Sequence, residues 1–212
     1  MANKHLGRRA RLLLTIAGLA VGTSAIAAPT ANAGLLVKTA PNCASQAFSQ
    51  PFAVVGDSAT YTLVKGGNFE GSTTGWTLSK AKVVAGNSPY GSRGKALQIS
   101  PGGVVTSPVS CVGLEHPTMR FYMKSSGGLL SLLSTMTVSV LVETSLGLVV
   151  EVPTLPVELP GTKWHASGRH LIVANLLPLL PNNYTPVAFR FRAIGGATWT
   201  IDDVYVDPKR RS

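Results

Sequence analysis

PVAFRFRAIGGATWTIDDVYV, residues 186–206, is the stretch from which the fold class is read. Val187, Phe189 and Phe191 alternate with Ala188, Arg190 and Arg192, so an extended chain puts rings on one face and cations on the other. Gly195-Gly196 supplies a turn, and Ala197 to Val206 resumes the alternation as a second strand. Along that strand Trp199 and Ile201 share one parity, whereas Val204 and Val206 share the other. Such a strand keeps a single apolar face only if a residue is inserted, so the slip predicts a bulge at Asp202-Asp203.

The period of two spreads through the chain. Met119, Phe121 and Met123 alternate with Arg120, Tyr122 and Lys124, giving one buried and one polar face. Thr135 to Glu143 and Leu148 to Val152 read as a hairpin around Ser145-Leu146-Gly147. Shorter strands are expected at Tyr61 to Val64, Lys80 to Val84, Ala96 to Ser100, Thr162 to Ala166 and His170 to Ala174. The third should stop at Pro101-Gly102-Gly103, and Pro153, Pro156 and Pro160 should open a loop. Apolar Leu176 to Leu180 is broken by Pro178 and suits a buried loop or an exposed greasy patch, not a central strand. About ten short strands, no long amphipathic helix and no fixed repeat predict an all-β jelly-roll sandwich.

Composition agrees. With 45% hydrophobic and 13% charged residues among 212, disorder is excluded. Lys4, Arg8, Arg9 and Arg11 precede an uncharged apolar run from Leu12 to Ala28, and Ala31-Asn32-Ala33 supplies small residues for cleavage, with Ala25-Ile26-Ala27 as a second possibility. The run is about one turn short of the ~20 residues a membrane span needs, so a cleaved secretory signal over 1–33 is expected and no transmembrane anchor. The Arg8-Arg9 pair points only weakly to twin-arginine export, because Arg11 stands where an apolar residue is wanted. The chain then divides into an N-terminal extension (34–60), the sandwich (61–208) and a basic tail (209–212), in a secreted and monomeric protein. Cys43 and Cys111, the two cysteines, should form one disulfide outside the cytoplasm, stapling the extension to a strand. The chain-entropy model gives such a loop roughly 4 kcal/mol.

Removing the leader takes four of the 19 basic residues and no acid, and leaves +6 of the +10. No nucleic-acid motif accompanies the charge, so an anionic wall polymer or membrane surface is the better partner. Charge kept only for solubility is the plain alternative.

Gly67-Asn68-Phe69-Glu70, then Thr74-Gly75-Trp76, and finally Trp199-Thr200-Ile201-Asp202-Asp203-Val204 carry a resemblance. Together they resemble the jelly-roll carbohydrate-binding modules of the galactose-binding-like superfold, over roughly residues 61 to 206. The whole chain is also similar to a set of secreted Gram-positive bacterial proteins, a likeness that carries no mechanism. The module resemblance implies a structural Ca²⁺ where the first and last strands meet, with Glu70 and Asp202 as ligands. Spacing alone would leave these acids as turn caps or partners of lysine and arginine.

In such modules a sugar lies on a concave sheet or in end loops. Arg120, Tyr122 and Lys124, with Arg190 and Arg192, are the sheet candidates for an acidic glycan or phosphate-bearing polymer, because arginine forks match such oxygens. An ordinary solvated sheet face is the competing reading. Tyr90, Trp164 and Tyr184 are the loop rings available, while Trp76, Trp199, Phe69, Phe121, Phe189 and Phe191 belong to the core. Enzymatic readings lack a motif. There is no Gly-x-Ser-x-Gly elbow and no phosphate loop, and His116, His165 and His170 do not make a zinc site. Glu143, Glu151 and Glu158 are expected as solvated surface acids rather than a glycosidase pair. The expectation is a non-catalytic glycan-binding module. A protein-interaction sandwich using Leu176 to Leu180 is the alternative, and a hydrolase the third reading.

Overall fold

The computed structural model describes residues 36–86, 88–89, 94–113, 117–127, 129–144, 147–173, 180 and 184–208. All lie in one compact unit, Ala33–Ser212. The leader, His116, Tyr90, Leu176 to Leu179 and the basic tail fall outside the described residues. Eleven strands are described: β1 Thr62–Leu63, β2 Thr77–Ala85, β3 Lys95–Thr106, β4 Ser110–Val112, β5 Thr118–Ser126, β6 Thr135–Glu143, β7 Val149–Pro153, β8 His165–Ala166, β9 His170–Leu171, β10 Thr185–Ile194 and β11 Thr198–Asp207. A one-turn helix α1, Leu36–Thr39, precedes them, and no described helix is long and apolar enough to cross a membrane.

Antiparallel pairing gives the order β7-β6-β10-β3-β11-β5-β8. Strands β10 and β5 stand apart in that order, yet Phe191 and Phe121 meet edge to face with centroids 5.2 Å apart. The sheet therefore curls into two layers, the all-β jelly-roll sandwich expected. The alternating apolar residues fill the space between them: Met119, Phe121, Met123, Met136, Val138, Val140, Val187, Phe189, Phe191, Trp199 and Ile201 form one cluster with Phe69 and Trp76. Burying one side of each strand is the main stabilising term.

Two elements correct the sequence reading. Strand β3 does not stop at Pro101-Gly102-Gly103 but continues to Thr106. Its first half pairs with β11 and its second with β10, and β2 follows with a register shift between Ser79 and Ala81. Lys80 and Gly102 take positive φ (50° and 70°), so the glycines make a bulge that carries the β2-β3 pair from one layer to the other. Gly103 is required there. A Cβ would lie 2.8 Å from Ile99 Cγ2 and from the Ser100 carbonyl, and 2.9 Å from the Lys80 carbonyl. Strand β4, three residues following Pro108, was not apparent from periodicity, and β8 and β9 are only two residues each.

The extension is a strap. Leu36 packs on Leu141 and Ala188, on the outer face of β6 and β10, and Val37 N–H donates to Glu143. The Cys43–Cys111 disulfide ties the segment to β4 as expected. The chain then pairs Ser49 with Tyr61 and delivers Phe52 to the outer face of β5.

Candidate functional site

The bulge foreseen at the end of the chain is present: β11 pairs Asp202 with Tyr122 and then Tyr205 with Arg120, and Asp203 adopts φ 51°. The glycine corner docks against it. Val64 N–H donates to the Val204 carbonyl, Val204 N–H donates to the Gly67 carbonyl, and a Cβ on Gly67 would lie 2.8 Å from the Val204 oxygen. The two motifs from the ends of the resemblance thus meet in space.

Asp202 and Asp203 are buried there. Asp202 accepts from Ser88 N–H (2.9 Å) and Asp203 from the Ser88 hydroxyl (3.0 Å), while Glu70 accepts from Lys95 N–H (2.9 Å). Among the described residues no lysine or arginine pairs with either aspartate. Burial, with the neighbouring Asp203 and Glu70 charges, pushes the Asp202 carboxyl up to about 7 against the Ser88 hydrogen bond, and burial also raises Asp203. Buried carboxylates without a cation, next to a third, are the oxygen donors a hard divalent ion takes. The set fits Ca²⁺ in charge and donor type. It is not a closed cage, since no three acidic, histidine or cysteine side chains among the described residues converge at ligand distance.

The five sheet residues do not form one surface. Phe121 and Phe191 face each other across the core, so the opposite parities on β5 and β10 point outward from different layers. On β5, Tyr122 is 1% exposed rather than solvent-facing. Phe52 packs on it in a tilted contact with ring centroids 5.1 Å apart, and the Tyr122 hydroxyl donates to the Pro51 carbonyl. Arg120 donates to Asp57 Oδ2 (2.7 Å) and twice to the Ser167 carbonyl, with its guanidinium 4.8 Å over Phe52. Lys124 lies over the partly exposed ring of Trp164 at 4.9 Å, so that loop candidate has a cation on it. Tyr184, expected in a loop, is buried. The strap has occupied this face. Phe52 and Asp57, in a segment with little periodicity, gave no signal of where they would land.

Arg190 and Arg192 are different. They stand on the outer face of β10, where Arg190 Nη1 donates to Glu151 Oε2 (2.7 Å) and Arg192 Nη2 to the same oxygen (2.8 Å). Arg190 Nε also donates to the Thr106 hydroxyl. Burial alone would raise Glu151, but hydrogen bonds from Arg192 and Ser139 and the Arg190 charge outweigh it and hold its pKa low. Register lines up Thr77, Thr106, Arg190 and Ser139 in one cross-strand row and Ser79, Val104, Arg192 and Thr137 in the next. Four strands at ~4.8 Å spacing give the rows a width of roughly 14 Å. The result is an outer sheet face of hydroxyls with two fixed guanidinium groups sharing one carboxylate.

Glu143 and Glu158 are not the solvated surface acids expected. Glu143 is buried at the strap, and Glu158 is buried because it accepts from Gly168 N–H and meets His170 Nε2 at 2.9 Å. His170 Nδ1 is 3.0 Å from the Thr154 hydroxyl, whose own proton goes to the Val138 carbonyl. This internal chain fastens the 153–170 connection to β6 and β5. Among the described residues every exposed ionisable side chain is basic: Lys38, Lys65, Lys80, Lys82, Lys95, Lys163 and Arg169.

No family model matches the chain, and no curated protein matches it. Solved structures do show similarity. The CBM22-1 xylan-binding domain of Paenibacillus barcinonensis Xyn10C aligns at 13% identity over 68% of this chain and 91% of its own, with TM-score 0.47. TmCBM61, solved with β-1,4-galactotriose, aligns at 18% identity over 69% and 98%, with TM-score 0.41. The family 11 carbohydrate-binding module of Clostridium thermocellum Lic26A-Cel5E aligns at 12% identity over 72% and 96%, with TM-score 0.40.

Proposed function

We propose that this chain is a secreted, monomeric, non-catalytic sandwich that binds an anionic polysaccharide or phosphate-bearing wall polymer on the outer face of β10. The observation carrying this reading is the Arg190-Arg192 pair, held on a hydroxyl-rich sheet face of a molecule whose described exposed charges are all positive. Guanidinium forks bind carboxylate or phosphate oxygens two at a time, and flanking Thr77, Ser79, Thr106 and Thr137 offer hydroxyl partners to sugar. The motif resemblance to carbohydrate-binding modules supports a glycan as the polymer. Leader composition supports export.

A glycan array read with the Arg190→Ala, Arg192→Ala variant tests the reading. Acidic glycans should be bound in preference to neutral ones, with affinity falling as salt rises, and the double change should weaken them at least ~tenfold. Equal binding by the variant, or a preference for neutral glycans, defeats the assignment.

We also propose a structural Ca²⁺ held by Glu70 and Asp202 beside Asp203, offsetting buried negative charge and joining the first corner to the last strand. Adding calcium should raise the melting midpoint and chelator should lower it, and Asp202→Asn should abolish the difference. An unchanged midpoint refutes the ion.

A further inference from the structure

One end of the sandwich carries an apolar tip that no glycan reading uses. The Leu129–Leu133 turn crosses that end from β5 to β6, and the 158–161 segment crosses beside it. Glu158 bridges Met136, and Gly161 exchanges hydrogen bonds with Ser125. The β10-β11 turn lies against the end of the first: Ser134 Oγ accepts from Ala197 N–H, and Ile194 pairs with Thr135. Leu132 and Leu133 are 70% and 89% exposed, and Leu159 and Ile194 are exposed with them. Exposed apolar side chains occur elsewhere on the described surface too; here it is the adjacent pair Leu132 and Leu133, the latter the most exposed of them all, that marks a surface covered in use.

The charges say what covers it. Lys163 follows the 158–161 segment, and Lys80 sits on the bulge opposite the β10-β11 turn, both exposed. Of the described acids nearest this end, Glu158 is buried and hydrogen-bonded to Gly168, and Glu151 is paired with both Arg190 and Arg192. A second copy docked tip to tip would bring lysines against lysines. An anionic bilayer would take the leucines into its interface and pair its headgroups with the lysines. We infer that this end docks on the anionic surface of a lipid bilayer, through Leu132, Leu133, Leu159 and Ile194 with Lys80 and Lys163 at their rim.

Ile194 ends β10 two residues beyond Arg192 and shares its outward parity, so the tip adjoins the arginine face, whereas Leu132 and Leu133 precede β6 and can be changed with Arg190 and Arg192 left in place. All three hydrophobic clusters and the disulfide lie within residues 36–206, so a chain beginning at Gly34 keeps the folded body and removes the apolar leader from the experiment. Co-sedimentation is measured with vesicles of phosphatidylcholine and with vesicles also containing phosphatidylglycerol. Binding should be at least ~tenfold tighter to the anionic vesicles and fall with salt. Leu132→Ser with Leu133→Ser should cost ~tenfold in that binding while leaving the melting midpoint unchanged, since both side chains are solvated. Lys80→Gln with Lys163→Gln should weaken binding and flatten its salt dependence. Arg190→Ala with Arg192→Ala should leave most of it. Three results would overturn the inference: no binding to either vesicle, undiminished binding by the leucine variant, or a concentration-dependent dimer that the leucine variant abolishes.

Discussion

Asp57→Asn tests how the strap is held over β5. Asp57 is 2% exposed and is the common acceptor for Tyr61 Oη (2.8 Å), Arg120 Nη1 (2.7 Å) and Arg169 Nε (3.0 Å). Burial alone would raise its pKa. Hydrogen bonds from Tyr61, Arg120, Ala59 N–H and Arg169 outweigh burial and lower it from 3.8 to about 2. A folded-state value below the unfolded one means the ionised carboxylate stabilises the fold. That contribution is fully present above the unfolded pKa and lost as pH falls through the folded one. The shift corresponds to about 2 kcal/mol, disappearing between about pH 5 and pH 2. At neutral pH the asparagine variant also leaves the largely buried Arg120 without its anion, so the total cost should be about 2–4 kcal/mol. Urea unfolding across that pH range reads both quantities. Wild type should lose about 2 kcal/mol more than the variant on acidification, and Arg120→Ala should cost less in the Asp57→Asn background than alone. Parallel pH profiles together with additive mutations would show that the ion pair does not hold the strap.

Two further outcomes follow from local geometry. Gly103→Ala should destabilise by about 2 kcal/mol or more, because its Cβ meets two backbone carbonyls that cannot move without opening the corner, a cost that thermal unfolding will show. Glu151→Gln removes the anion shared by Arg190 and Arg192 and should strengthen acidic-glycan binding severalfold in titration calorimetry. Because Glu151 is held low, the wild-type arginines should gain that freedom only as pH falls below the ordinary carboxylate range, whereas the glutamine variant has it at neutral pH.

Strands with alternating apolar residues were legible in the sequence, since β5, β6, β10 and, on each side of its bulge, β11 send one parity into the core cluster and their partners set the register. Much of the other parity on β6, β10 and β11 is buried as well. The Asp202-Asp203 bulge was legible for the same reason: a phase slip in an otherwise strict pattern leaves no other extended solution. The β3 corner was not, because Pro101-Gly102-Gly103 reads equally as a turn or as a bulge, and only pairing with β10 beyond it decides between them. Nor was the fate of Tyr122 and Arg120. Alternation shows which side of a strand is away from the core, but not whether a distant segment will cover that side. Phe52 lies 70 residues before Tyr122, and nothing periodic links them.

The covering of one face bears on where a ligand can bind. Outward parity on β5 and on β10 looks alike in sequence, two cations with a polar or small neighbour on each. On β5 the strap brings an anion, Asp57, and two rings, Phe52 and Tyr61, which pack with Tyr205 of β11, so Arg120 and Tyr122 become interior groups. On β10 the strap reaches only as far as Leu36 on Ala188 and Leu141, and the chain beyond Ala188 keeps Arg190 and Arg192 within reach of solvent. The disulfide fixes this division. By holding residue 43 at β4, it leaves the intervening residues to run to β5 and away from the outer side of β10. A glycan that needs guanidinium groups is therefore directed to β10 by the course of a segment that contributes no ligand contact of its own.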